Sequence, residues 1–306
     1  MWRYAAGRLV QAGVAVLGVL TIVFVVMRFS GDPTLLLVPE GASQESIDAL
    51  RKELGFDRPI LVQYVEYLRD LTHLDFGMSV VQRIPAFDIV ASRVPYTVVL
   101  ATGALLFATG IGIPVGIAMA VWRGGWLERT LAAVVLTGQS MPTFLSGMLL
   151  ILLFGVALGW LPTSGAGDLH ALILPSVALG ALSMSTFARM ARIAIVDELG
   201  KDYVRAARAR GLSHASAVGR HVLRNAAIPV VTVAALEIGN LLAGAVIVET
   251  VFAWPGIGQL AIQSIQSRDF LVVQVVVLLI SNVYVVTSLL ADIVYAALDP
   301  RIRLVR

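Results

Sequence analysis

Long apolar runs limit what this chain can fold into. A helix needs about 20 residues to cross the hydrocarbon of a bilayer, and only helices or closed barrels can satisfy their backbone there. Leu9–Met27, Thr97–Val121, Thr130–Trp160, Leu172–Ala188, Ile228–Phe252 and Leu271–Ala297 meet or approach that length. Only 14% of the 306 residues are charged, against about 25% in a soluble domain. The expected class is therefore an all-α membrane protein with six transmembrane helices.

Three divisions follow: residues 1–30 as an N-terminal transmembrane helix, 31–96 as a polar insert, and 97–306 as a core of five helices. Arg3 and Arg8 precede the first apolar run, so a secretory signal is its rival reading. That run is long for a signal, and RFSGDP follows it where an Ala-x-Ala-like site would stand, so a retained helix is expected. In the insert, Ser43–Gly55 reads as an amphipathic helix capped by Ser43 and stopped by Gly55, and Ile60–Leu71 as a second one. Gly138 and Pro142 predict a kink in the third span. Pro175 and Pro229 are expected in the first turns of the fourth and fifth spans, where the missing N–H is not needed.

Basic residues set the orientation. With the N-terminus inside, the inner segments hold 15 of the 23 Lys and Arg residues, and the short outer loops hold only Arg268. Both termini and the Asp202–Pro229 loop are then cytoplasmic, and the insert is extracytoplasmic. All five tryptophans (Trp2, Trp122, Trp126, Trp160, Trp254) fall at expected span ends, where interfacial anchoring places them.

Several chemistries are missing from the sequence. There is no cysteine, so disulfides and thiolate metal sites are excluded. No GxxxxGK[ST] loop is present, so ATP binding by this chain is not expected. The four histidines are scattered over different segments, and no Ser/His/Asp set shares a face. Three ionisable residues lie within spans, where charge is costly: Glu237, Glu249 and Asp292. Glu237 is placed deepest, with Asn240 and Gly239 beside it. It reads either as a carboxylate bonded to a neighbouring helix or lining a watery path, or as a proton-coupling group. Gly110, Gly112, Gly116, Gly239 and Gly244 permit close helix approach, within the chain or to a partner.

The longest basic interruption is Asp202–Pro229, DYVRAARARGLSHASAVGRHVLRNAAIP. Its punctuation predicts two short helices. Asp202 caps the first, Gly211 ends it, and Ser213 caps the second. By charge alone it reads either as a positive-inside loop held against anionic lipid or as a docking device.

DYVRAARARGL followed by RHVLRNAAIPVV resembles the EAA loop of ABC-importer permeases. Ala206, Ala207 and Gly211 match that pattern in register. Arg205 stands where an acidic residue is usual, and Arg224 where a proline often follows Leu223. These departures, with VETVFAWPGIGQL (Val248–Leu260), YAALDPRIR (Tyr295–Arg303) and LGFDRPILVQYVEYL (Leu54–Leu68), are similar to the dipeptide/oligopeptide branch. The resemblance covers nearly the whole chain. It implies a type I ABC-importer permease-like bundle in a bacterial plasma (inner) membrane, forming half of a translocation pathway for di- or oligopeptides. The implied partners are a homologous second permease, two ATPase subunits, an extracytoplasmic binding protein, the peptide substrate and the bilayer, with no nucleic acid.

The resemblance also implies that this chain is a transport subunit without a cofactor, with ATP and Mg bound by the partners. Its loop, within 197–227, would dock on the ATPase through Tyr203, Arg205, Ala206, Ala207, Arg208, Ala209, Arg210, Gly211 and Leu212. The alanines keep the helix slim, and arginines can pair with acidic groups. A zwitterionic peptide needs polar groups for both ends. Glu237, Asn240, Ser140, Met141 and Pro142 are the candidate lining. Rival readings are a related cargo (glutathione or a nickel complex), a secondary transporter, and a structural subunit. A secondary transporter would carry deep charges in several spans and an internal repeat.

Overall fold

The computed structural model describes residues 2–29, 43–53, 55–73, 75–211, 216, 219 and 222–298. The described residues form α1 (Trp2–Phe29), α2 (Gln44–Glu53), α3 (Ile60–Thr72), α4 (Ala86–Val121), α5 (Trp126–Ser140), α6 (Thr143–Leu150), α7 (Leu169–Leu199), α8 (Asp202–Ala209), α9 (Leu223–Val251), α10 (Ile257–Gln266) and α11 (Phe270–Leu298). A π-helical stretch, Ile151–Ala157, continues α6.

Four of these helices are long and apolar enough to cross a membrane, and α5 with α6 makes five if the pair is one bent span. The remaining expected span corresponds to α1. That helix has 28 residues, but its described apolar stretch, Gly13–Val26, is shorter than a span.

The third expected span departs most from its reading. α5 and the α6 segment meet at 108°, a break rather than a kink. Pro142 excludes Met141 from the helical region, as proline does to the residue before it, and Met141 is extended (φ −84°, ψ 128°). Two proline placements also need correction. α7 begins at Leu169, so Pro175 lies inside it. α9 begins at Leu223, so Pro229 is interior too. α7 also runs past Ala188 to Leu199, and two of the charged residues in that stretch find partners. Arg192 Nε donates to Glu128 at 2.7 Å, and Glu198 pairs with Lys201.

The chain divides into two compact units: Pro95–Gln259 with residues 1 and 286–306, and Trp2–Val94 with Leu260–Val285. In the first, α4 and α7 touch backbone to backbone. A Cβ on Gly112 would lie 2.5 Å from the Met184 carbonyl oxygen, and one on Gly116 2.3 Å from that of Ala188. Gly110 has open space around it, so the expected glycine motif is used at only two of its positions. The core around this seam holds Leu100, Ala104, Leu174, Ala178, Leu241, Val248 and Phe252.

Trp254 belongs to that core rather than to an interface. It is 3% exposed, and its Nε1 donates to the Tyr96 carbonyl at 2.9 Å. Trp122, Trp126 and Trp160 are exposed, as anchors should be.

In the second unit, Phe24 of α1 packs on Tyr64 and Tyr67 of α3, with ring centroids 5.2 and 5.4 Å away. The Ser46 N–H donates to Ser43 Oγ at 3.3 Å, the expected cap. Gly55 has φ +71°, the left-handed stop expected of it. Asp269 is buried and accepts from the Ser79 hydroxyl.

Candidate functional site: the basic segment and two buried carboxylates

The basic segment is built from one anchored face and one free face. α8 has eight residues, too short to hold itself in isolation, so its position depends on packing. Val204 and Val222 are buried with Ala120, Ala194, Ile195 and Ala226. Around this apolar seat lies a polar latch. Tyr203 Oη donates to Glu198 at 2.5 Å, and Asn225 Nδ2 donates to Tyr203 Oη at 3.2 Å. Burial first, then the Glu198 carboxylate, holds the Tyr203 phenol above its ordinary pKa. The latch joins the end of α7, the start of α8 and the first turn of α9.

The opposite face is bare. Arg205, Ala206, Ala209, Arg210 and Gly211 are exposed, and Ala207 is half-buried. Gly211 has φ +91°, a conformation glycine adopts without strain, and it ends α8 as expected. Asp202 starts the helix, and its carboxylate lies 3.6 Å from Arg205; Arg205 also donates to the Gly200 carbonyl at 3.1 Å. Tyr203 stands apart from the other expected docking residues, because it is turned to the bundle. The Arg208 side chain, Leu212 and Ser213 lie outside the described residues.

Glu237 and Glu249 share α9 but differ in their surroundings. Glu237 is 8% exposed. It accepts from Ser183 Oγ on α7 at 2.5 Å and from Asn240 Nδ2 at 3.5 Å. Ser185, two residues on, bonds the Val135 carbonyl of α5 at 2.9 Å. Ser140 bonds its own helix, at the Leu136 carbonyl. Among the described residues no hydrogen bond joins Glu237 to Ser140, Met141 or Pro142. Within the described residues the expected lining is therefore joined by hydrogen bonds only between Glu237 and Asn240.

Glu249 has no exposed surface. Its Oε1 accepts from Thr97 Oγ1 at 2.7 Å, and its Oε2 from the Gly258 and Gln259 N–H groups at 2.6 and 3.1 Å. The Ile257 N–H donates to Thr97 Oγ1 at 2.9 Å. These N–H groups open α10, so Glu249 and Thr97 together satisfy donors that every helix start leaves over. A Cβ on Gly256 would meet Glu249 Oε1 at 2.1 Å, and one on Gly258 would meet Val246 Cα at 2.4 Å. Glycine at both positions of VETVFAWPGIGQL is thus a steric requirement.

The family described as "Binding-protein-dependent transport system inner membrane component" matches residues 112–304, and its N-terminal companion domain matches residues 1–101. The chain belongs to the binding-protein-dependent ABC-importer permeases. It is 42% identical over 288 residues to the glutathione transport system permease protein GsiC of Escherichia coli (strain K12), covering 94% of each chain. Against the protein of the same name from Salmonella typhi the identity is 42% over 304 residues, covering 99% of each. Among solved structures, the MetNI methionine ABC transporter in inward-facing conformations matches with a TM-score of 0.58 at 25% identity, over 69% of this chain and 96% of that one.

The fold is that of a type I importer permease. The chain is a multi-pass membrane transport subunit, with ATP hydrolysis in separate subunits. A permease of this family works with a partner permease, an ATPase and a substrate-binding protein. Two features of this permease were missed in the sequence. Glu198 lay beyond the expected end of its span, and Thr97 is a hydroxyl residue with no pattern of its own. A longer fourth helix would have placed Glu198 five residues before Tyr203, close enough to pair.

Proposed function

We propose that this permease forms half of the pathway of an ATP-driven importer of short peptides, with a glutathione-sized peptide as the cargo. The cargo reading rests on full-length similarity to permeases named for glutathione transport. Di- and oligopeptides, the cargo class suggested by the DYVRAARARGL loop, are the neighbouring reading. A nickel complex is a third. The coupling reading rests on one observation: α8 has a bare, arginine-bearing face opposite a face locked by Val204 and Tyr203. A slim helix held on one side transmits displacement to α7 and α9 as a lever does.

In this reading Arg205, Ala206, Ala207, Arg208, Ala209, Arg210, Gly211 and Leu212 meet the ATPase, while Tyr203 holds the lever to the bundle. ATP and Mg bind in the partner subunits. Both termini and α8 face the cytoplasm, and the region 31–96 faces the other side. Glu237, Asn240 and Ser140 offer polar groups to the peptide, and Met141 and Pro142 at the α5–α6 break complete the candidate lining. Reorientation requires the ATPase contacts to differ in free energy between the two states.

The test uses the whole transporter in proteoliposomes. Glutathione uptake should exceed uptake of a dipeptide or a nickel chelate, and the reverse order would move the cargo to the neighbouring reading. Ala207→Trp or Gly211→Val should lower uptake about 10-fold or more while the assembly persists and hydrolyses ATP, since closure then lacks its mechanical link. Unchanged uptake in both variants would refute the docking role and leave the cargo result standing.

A further inference from the structure

α4 ends at Val121, and the chain turns through residues 122–125 before α5 begins. Beneath that turn, α4, α5 and α7 enclose a cavity of about 400 Å³. Its lining includes Arg129, Arg189 and Arg192, and its surface is mainly apolar, with Met119, Val135, Leu136 and Ile193. Glu128 also lines it. The Glu128 carboxylate accepts from Arg192 and, at 2.6 Å, from the Gly124 N–H, which fixes both the guanidinium and the turn. Among the described residues no acidic side chain pairs with Arg129 or Arg189, so two positive charges stay uncompensated.

We propose that this cavity binds an anionic phospholipid, its phosphate at Arg129, Arg189 and Arg192 and an acyl chain along the apolar wall. Three observations favour a lipid over an acidic protein segment. Trp122 and Trp126 on the same turn are exposed, 55% and 77%, and exposed tryptophans mark the headgroup level. The wall leads to Leu136 and Ile193, both largely exposed, as an open-sided groove for a chain requires. Arg129 and Leu136 lie on one face of α5 seven residues apart, roughly 10 Å along the axis, the depth from a phosphate to the acyl region. Basic pockets between transmembrane helices are known lipid headgroup sites. The site is separate from α8 and from Glu237, and neither the family nor the cargo depends on it.

The assembled transporter in detergent micelles containing phosphatidylcholine is titrated with phosphatidylglycerol, and native mass spectrometry reads the lipid retained on this chain. Wild type should retain phosphatidylglycerol in preference to phosphatidylcholine. The double variant Arg129→Gln/Arg189→Gln should weaken retention about 30-fold, and Leu136→Gln should weaken it through the wall. Arg123→Gln, on the same turn but outside the cavity, should change nothing. The proposal falls if the double variant binds normally or if Arg123→Gln loses as much. It falls equally if inorganic phosphate displaces the lipid, or if only the chain stripped of its partners binds it, since a partner would then fill the cavity. Assembly of each variant, checked by the same spectra, separates lost binding from lost folding.

Discussion

Glu237 and Glu249 lie on the same helix, and both are buried, yet they are held by different kinds of donor. Glu249 takes its hydrogen bonds from Thr97 and from two backbone N–H groups of α10. Backbone donors in a helix start cannot rotate away, so this carboxylate is fixed by two neighbouring elements, α4 and α10, at once. Glu237 has one hydroxyl on α7 and one long contact to Asn240, three residues along. Both of its donors are side chains that can rotate. A buried charge held by rigid donors is a structural part. One held by rotatable donors can exchange them for a passing ligand. Position in a span does not separate these roles; the donor set does.

The comparison breaks most visibly at Glu249. Glu249→Ala leaves the Gly258 and Gln259 N–H groups and the Thr97 hydroxyl without an acceptor, at about 1–3 kcal/mol for each buried orphan. A loss of at least about 3 kcal/mol is expected, read as a large fall in the thermal midpoint of the detergent-purified chain or as loss of membrane yield. A wild-type midpoint would show that α10 does not need its carboxylate cap. Thr97→Val is the milder version. It keeps the side-chain shape but orphans the Ile257 N–H and removes one of three donors to Glu249, for about 1–3 kcal/mol. The difference between the two variants measures how much of the cap is carried by the backbone donors alone.

The sequence was legible where a single residue imposes its conformation. Gly211 and Gly55 stop their helices, Ser43 caps α2, and Gly112 and Gly116 let α4 touch α7. Apolar length found the long helices, and the loop motif found the family. Illegible were features made by partners distant in the chain. α7 outlasts its apolar run, and there Arg192 meets Glu128, 64 positions away. Trp254 sits at a helix end, as an anchor would, but its indole meets the Tyr96 carbonyl. Glu249 looked like a costly charge near a span end until Thr97 and α10 closed around it. Pro142 announced a disturbance, but its 108° size depends on what both arms pack against.

The smallest effect is expected at Glu237, and it sharpens the contrast from the other side. Ser183→Ala removes its one short hydrogen bond, while Asn240 remains nearby to take part of the load. A cost of about 1 kcal/mol follows, a shift of only a few degrees in the thermal midpoint. Glu237→Gln keeps the side-chain length and one acceptor oxygen for Ser183, so the fold should tolerate it as well. Transport by the assembled importer is where the substitution should appear. If Glu237 exchanges its hydroxyl for the peptide amine, the glutamine variant raises the concentration needed for half-maximal uptake while assembly stays wild-type. If instead Glu237→Gln destabilises as much as Glu249→Ala and leaves uptake per assembled transporter unchanged, both carboxylates are structural, and the distinction drawn from their donors fails.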